Sequence, residues 1–291
     1  TQTALEGNPL AVFPNAGGLD GSLMQRIARE LNLSETAFVL PPSGAEAAAR
    51  LRIFTPGYEM MFAGHPTICT AYVMRHLGLV GRDRTEFTLE EGVGPVRVRV
   101  DAGADPLIWL ETPPITHGKI FDRTLCARAV GLSESDLLTD VPCQLVSAGN
   151  PNVYIALGGR AAVDRAAVDT VALQALLATE PAPACIFVFA KTPEGAYSRM
   201  FAPAHGVPED PATGSATGPL AAFMMQHGLA PHVDGTRFIS EQGTKMGRRS
   251  RLHVFVHGDH GSSSIEVGGH VAPLTVATMT LDLPSPVAAS A

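Results

Sequence analysis

Glu209-Asp-Pro-Ala-Thr-Gly-Ser-Ala-Thr-Gly218 brings a carboxylate pair, two glycines and three hydroxyls to the start of an apolar stretch. Downstream, Pro219-Leu-Ala-Ala-Phe-Met-Met-Gln-His227 is helix-forming and mostly apolar, and Gly228 stands where a helix C-cap belongs. A helix with so little polar surface is buried. Its first backbone N–H groups have no intrahelical acceptor, so the Gly-Ser-Ala-Thr turn predicts a protected site for an anion such as a substrate carboxylate. The same residues also fit a buried helix with an ordinary polar cap, so this stretch alone leaves both readings open.

An earlier stretch has the same plan. Met61-Phe-Ala-Gly-His-Pro-Thr67 runs into Ile68-Cys-Thr-Ala-Tyr-Val-Met74 and closes at Gly78, so a glycine and a polar residue again open an apolar helix. Gly7-Asn-Pro-Leu-Ala-Val12 likewise returns as Gly149-Asn-Pro-Asn-Val-Tyr154, and Leu51-Arg-Ile-Phe-Thr-Pro56 returns as Ser198-Arg-Met-Phe-Ala-Pro203. The three matches have offsets of 142 (Gly7 to Gly149), 150 (Gly64 to Gly214) and 147 (Arg52 to Arg199). Near-constant offsets in a chain of 291 residues predict duplicated halves. That length suits two domains of about 150 residues. The prolines of Thr112-Pro-Pro-Ile-Thr-His-Gly118 predict a linker, which divides the chain into residues 1–117 and 118–291.

With 45% hydrophobic and 17% charged residues the chain can bury two cores. The formal charge is −7, and its chief basic run, Gly247-Arg-Arg-Ser-Arg251, is too short for a nucleic-acid face. No apolar run reaches the length of a membrane helix, and Thr1-Gln-Thr-Ala-Leu-Glu6 shows neither a charged leader nor a cleavable apolar core; the expected compartment is the cytoplasm. Cys69, Cys126, Cys143 and Cys185 lie far apart in apolar settings and read as buried thiols. His253, His257 and His260 are the one histidine cluster, but Leu252, Val254 and Val256 alternate with them as in a strand, and Gly258-Asp-His-Gly261 reads as its polar hairpin turn, which disfavours a metal site.

Asp20 predicts the cap of a helix with Leu23, Ile27 and Leu31 on its buried face and a stop near Asn32. Strands are predicted at 7–13, 33–40, 50–53, 96–100, 107–110, 185–190, 198–203, 237–240, 251–257 and 265–267, and further helices at 122–130 and 171–178. Glu35 follows the Asp20 helix directly and sits among apolar neighbours. Desolvated in a cleft, such an acid rises toward the range useful for proton transfer near neutral pH. Each half is therefore strand-rich with one conspicuously buried helix, which places the chain in the α+β class.

Gly7-Asn-Pro, Ser34-Glu-Thr, Phe62-Ala-Gly-His-Pro-Thr67, Glu209 to Ala216 and Met246-Gly-Arg-Arg-Ser250, in this order over nearly the whole chain, resemble the PhzF phenazine-biosynthesis family of isomerases. The resemblance implies a diaminopimelate epimerase-like fold of two pseudo-symmetric domains, each with a sheet wrapped around a central helix, and an active site between them. The last strand of the second half is free to cross back to the first. Matched position by position, Glu35 takes the place of the family's general acid/base, while His65, Asp210 and Ser215 hold and polarise the substrate with the backbone at Gly64 and Gly214; Asn8 is a further substrate-binding position through the repeated Gly-Asn-Pro. The implied reaction needs no cofactor and no metal. It isomerises a small cyclic or unsaturated carboxylic acid, as in the conversion of trans-2,3-dihydro-3-hydroxyanthranilate, where one acid/base moves a proton from C3 to C1. The resemblance also implies a homodimer. Racemases on this fold place a cysteine before each central helix; Ala63 and Thr213 stand there, which excludes a two-thiol mechanism. The rival expectation is a small-anion binding protein that keeps the cleft without turnover.

Overall fold

The computed structural model describes residues 1–103, 105–178, 180, 184–259 and 264–281. The first half runs β1 (Leu10–Phe13), α1 (Gly21–Leu31), β2 (Glu35–Leu40), β3 (Ala49–Phe54), β4 (Glu59–Met60), α2 (Gly64–His76), β5 (Glu86–Glu91), β6 (Gly94–Val100) and β7 (Ile108–Glu111). The second half opens with β8 (Thr116–Phe121), α3 (Arg123–Ala129) and β9 (Cys143–Ser147). It then repeats the plan with β10 (Pro151–Leu157), α4 (Arg160–Arg165), α5 (Thr170–Leu177), β11 (Cys185–Thr192), β12 (Gly195–Ala202), β13 (Val207–Asp210), α6 (Gly214–Gln226), β14 (Arg237–Gln242), β15 (Ser250–His257) and β16 (Ser264–Gly269).

The duplication is visible in the strand order, β1-β2-β3-β5-β6-β7-β16-β15-β14-β12-β11-β10-β9-β8, which reads as one series followed by its reverse. The two series join where β7 and β16 pair antiparallel, with Leu110 opposite Val267 and Trp109 opposite Gly268. A Cβ on Gly268 would enter the Trp109 ring, so this close crossing requires glycine. The last strand thus belongs to the ladders of both halves, bonding β15 on one side and β7 on the other.

Both central helices are buried by composition. Helix α6 has no polar face: Ala216 to Ala221 and Phe223 to Met225 are all buried, and Tyr154, Phe187 and Phe189 pack around it, Tyr154 and Phe189 against the Phe223 ring. The Tyr154 hydroxyl donates to the Ala216 carbonyl at 2.6 Å, which satisfies the one polar atom of that cluster's largest ring. Helix α2 sits in the equivalent position among Ile53, Leu89, Val98 and Leu110. Each helix carries a threonine in its first turn whose hydroxyl donates to the carbonyl before the helix, Thr67 to Ala63 at 2.8 Å and Thr217 to Thr213 at 2.9 Å. The other face of the sheet is covered by α1 in the first half, whose Met24 and Ile27 share a core with Phe38 of β2, and by α3 and α5 in the second.

Asp20 caps α1 through Leu23 N–H and Asn32 ends it in the left-handed region; Asp122 caps α3 in the same way. Two expectations need correction. The buried face of α1 is Met24, Ile27 and Ala28, with Leu23 and Leu31 only half-buried at its edges, because a 3.6-residue turn rotates a strict spacing of four off the contact line. The linker is 112–115 rather than 112–118, because Thr116 and His117 already pair with Ser147 and Val146. All four cysteines are free thiols; Cys126, Cys143 and Cys185 are buried and Cys69 partly so. Of the predicted hairpin 258–261, residues 260 and 261 lie outside the described residues.

Glu91, at the end of β5, is a buried acid beneath the start of α2. Thr67 Oγ1 lies 2.6 Å from Glu91 Oε1 and also donates to Ala63 O. One hydroxyl has one proton, so both contacts are satisfied only when Glu91 is protonated and donates to Thr67. Burial pushes its carboxyl up to about 8, consistent with that geometry. The folded state therefore holds a proton that the unfolded chain releases from about pH 4.5 upward, so this group's stabilising contribution is full below that pH and is lost as pH rises to about 8. Glu91→Gln keeps a donor for Thr67 and removes the titration. Its melting temperature should gain on the wild type between pH 5 and pH 8 and run parallel above; a pH-independent difference would show that Glu91 is ionised in the fold.

Candidate active site

The two helix starts meet. A Cβ on Gly64 would lie 3.1 Å from the Cα and carbonyl carbon of Gly214 and from Ser215 N, and a Cβ on Gly214 would lie 3.3 Å from Gly64 Cα. A side chain at either position would be a few tenths of an ångström too close to the facing backbone, which glycine avoids. The first-turn N–H groups of α2 and α6, with the positive ends of both helix dipoles, therefore converge on one point.

Around that point lies a cleft lined by Glu35, Gly64, His65, Asp210, Gly214 and Ser215. Glu35 enters from the first residue of β2, His65 from the second of α2, and Asp210 from the last of β13. Asn8 stands beside them and ties the halves together, donating from Nδ2 to Asp210 Oδ1 at 2.8 Å, with Ala212 O at 3.3 Å and His65 Nδ1 at 3.4 Å. Asp210 also accepts from Thr213 Oγ1 at 2.5 Å, and Gln242 Nε2 donates to Asp210 O at 2.7 Å and to Thr213 Oγ1 at 2.9 Å.

These contacts fix protonation. Asp210 Oδ1 and Ala212 O are the nearer acceptors for the two Nδ2 hydrogens of Asn8; a proton on His65 Nδ1 would set two donors face to face across 3.4 Å, which favours Nδ1 as the unprotonated nitrogen. Burial holds the imidazole at about 3, so His65 is neutral and carries its proton on Nε2. That nitrogen stands 3.5 Å from Glu35 Oε2, too long for a good hydrogen bond, and both atoms are buried without a partner. Burial, and secondarily the Asp210 charge, hold the Glu35 carboxyl well above the usual carboxylate range. Burial raises Asp210 as well, against the hydrogen bonds from Thr213 and Asn8. The cleft thus presents an unpaired acid/base facing an N–H donor, beside two helix N-termini.

The motif's other acid has a different task. Glu209 makes a bidentate pair with the buried Arg199 at 2.9 and 2.8 Å, and Arg52 pairs with Glu59 in the same way at 2.6 Å in the first half. Arg248, from the Met246-Gly-Arg-Arg-Ser250 stretch, donates to Gly7 O at 2.7 Å and holds the loop that carries Asn8.

The rest of the cleft was not singled out by sequence. Tyr58 and His205 meet over it, the phenol oxygen 3.0 Å from His205 Nδ1. They are 147 apart, the offset between the duplicated Arg52 and Arg199 strands, so the repeat itself contained the signal. Thr213 was singled out only as the residue before α6, and Gln242 carried no signal. His253 and His257 lie on β15, His257 Nε2 being 3.0 Å from Glu266, and His260 lies outside the described residues; among the described residues no group of three His, Cys, Asp or Glu is arranged to hold a metal.

A sequence model of the family described as phenazine biosynthesis-like protein (PhzC-PhzF) matches residues 1–277. The chain belongs to the PhzF family. It is 39% identical over 282 residues to an uncharacterised isomerase of Mesorhizobium japonicum, covering 93% of this chain and 92% of that one. It is 35% identical over 271 residues to the trans-2,3-dihydro-3-hydroxyanthranilate isomerase of Pseudomonas aeruginosa, covering 92% of each. The crystal structure of a PhzF-family protein from Bacillus anthracis superposes with a TM-score of 0.84 at 28% identity over 94% of both chains. The chain is accordingly a PhzF-family isomerase with the α+β fold of that family and its epimerase-like relatives. No helix among the described residues is long and apolar enough to cross a membrane.

The glycine contact makes a direct prediction. Gly64→Ala must push the helix starts apart, with an overpacking cost of about 1–3 kcal/mol. Its melting temperature should fall, and its affinity for a small carboxylate such as acetate should fall with it. Gly44→Ala, where an added Cβ meets nothing within 4 Å, should change neither. Equal melting and binding in both variants would show that the close approach is not required.

Proposed function

We propose that the cleft binds a small cyclic or unsaturated carboxylic acid and isomerises it by moving one proton with Glu35. The single observation that carries the reading is the unpaired Glu35 Oε2 facing His65 Nε2 at 3.5 Å beside the joined helix starts. The substrate carboxylate would sit on the N–H groups at Gly64 and Gly214 with the Ser215 hydroxyl. Ionised Glu35 would take a proton from a carbon next to the double bond, and the electron pair would shift along the conjugated system. The protonated Glu35 would then return the same proton to the far carbon, so nothing is gained or lost. Charge developing on the substrate would be stabilised by the helix ends and by the His65 Nε2–H. An acid whose affinity for protons is raised by burial suits both halves of this cycle near neutral pH. No cofactor enters the step.

The named activity of the Pseudomonas aeruginosa relative, on trans-2,3-dihydro-3-hydroxyanthranilate, fits this chemistry and supplies the substrate class. A protein that only bound small anions would use the helix starts and Ser215 and would have no need of a buried acid without a partner. The proposal includes two domains divided at the 112–115 linker, which moves the expected 117/118 boundary to the start of β8, together with operation in the cytoplasm and a homodimer, the last open to light scattering.

Glu35→Gln tests the mechanism, since it keeps shape and hydrogen-bonding reach while removing the ability to accept a proton. Turnover should drop by about 10²–10⁴-fold with ligand affinity and melting temperature close to wild type. Exchange of solvent deuterium into the substrate should disappear together with turnover. An active variant would remove Glu35 from the reaction.

A further inference from the structure

Around the cleft, four side-chain atoms are buried with no hydrogen-bond partner: Asn8 Oδ1, Glu35 Oε2, His65 Nε2 and Asn152 Oδ1. The first three belong to the proton-transfer constellation. Asn152 belongs to none of it. It is 1% exposed, near the start of β10, and it lines the cleft.

Its amide has a fixed orientation. Asn152 Nδ2 donates to Asn150 O at 3.0 Å. A carbonyl only accepts, so turning the amide over would set two oxygens face to face. The atom left without a partner is therefore the acceptor, Oδ1.

The duplication shows what this position answers to. In the first half the parallel ladder sets Leu10 opposite Glu35, and in the second the same ladder sets Asn152 opposite Cys185. Asn152 is 142 from Leu10 and Cys185 is 150 from Glu35, the offsets of the repeated Gly-Asn-Pro and of the two helix starts. Where one half offers an acid and an apolar side chain, the other offers a thiol and an amide. Burial pushes the Cys185 thiol up to about 12, so it stays neutral, and an amide does not titrate. This wall of the cleft therefore moves no proton. Asn152 shares the cleft lining with the apolar side chains of Met60, Met200 and Ala202, and its Oδ1 is buried without a partner.

A buried acceptor without a partner is costly, and a ligand that supplies an N–H or O–H removes that cost. A pocket built to hydrogen-bond a substituent discriminates strongly against the analogue lacking it. We propose that Asn152 is a specificity-determining residue whose Oδ1 accepts a hydrogen bond from an amino or hydroxyl substituent of the substrate. This rests on the reading of the cleft as a carboxylate site, and the test separates the two.

Benzoate, 2-aminobenzoate and 3-hydroxybenzoate are titrated calorimetrically into the full chain, its Asn152→Leu variant and, as a smaller replacement, Asn152→Ala. In the wild type at least one donor-bearing ligand should bind about tenfold or more tighter than benzoate. Both variants should lose that ratio while still binding benzoate. Equal affinities for all three ligands in the wild type overturn the proposal and leave the carboxylate site standing. So does a preference that survives in either variant. Failure of all three to bind the wild type removes the carboxylate site, and this proposal with it. The wild-type comparison decides even where a variant does not fold.

Discussion

The contact between Gly64 and Gly214 constrains everything else in this molecule. Two helix N-termini that abut bring like dipole ends together, which is unfavourable until a negative group or other interactions offset it. The chain holds them there from outside. The β7 and β16 ladder closes the two halves into one sheet, the cores around α2 and α6 fix each helix in its half, and Asn8 and Arg248 bond directly across the junction. The concentrated positive potential that results suits the junction to the anion site proposed for it. A small displacement at either glycine would spread the N–H groups and weaken that site before it threatened either core.

Around this junction the acids are divided by environment. Glu209 and Glu59 sit opposite arginines in bidentate pairs and act as struts that hold β12 and β3 in place. Asp210 is held by Asn8 and Thr213 and positioned through its own carbonyl by Gln242, so its side chain is committed to orientation. Glu91 satisfies Thr67 only as a neutral acid and so adds no charge beneath the start of α2 while it keeps its proton. Glu35 alone faces the cleft without a hydrogen bond. Residue type makes these five alike; neighbours separate them.

The legible part of the structure is the part carried by local chemistry or by repetition. Asp20 and Asp122 announce their helices because a cap is a contact three residues long, and Gly64 and Gly214 announce the helix starts because the same pattern occurs twice. Tyr58 and His205 were equally available, since they follow the repeated strand at the same offset, but an aromatic and an imidazole do not look alike in a motif. Gln242 could not be read. It meets Asp210 and Thr213 only because β14 lies beside β12 in the sheet, and no local pattern encodes that neighbour. Asn152 was hidden for the opposite reason: it sits in the repeated segment but departs from it, being an amide where the first copy has Leu10.

That departure bears on the proposed use of a single acid/base. A symmetric pair of helix starts naturally offers two equivalent proton-transfer positions, one per half, and inversion at a single carbon uses both from opposite faces. Here the residues preceding the helices are Ala63 and Thr213, of which the first has no titratable group and the second donates to Asp210. The strand position equivalent to Glu35 holds a neutral thiol beside an amide. In the proposed mechanism proton transfer is left to Glu35 on one side of the cleft, while Asp210 on the other is engaged by Asn8 and Thr213. A proton taken and returned from one side cannot invert a centre but can move between two carbons of one face, so a pseudo-symmetric scaffold with an asymmetric pair of walls is suited to isomerisation along a chain of bonds and unsuited to racemisation.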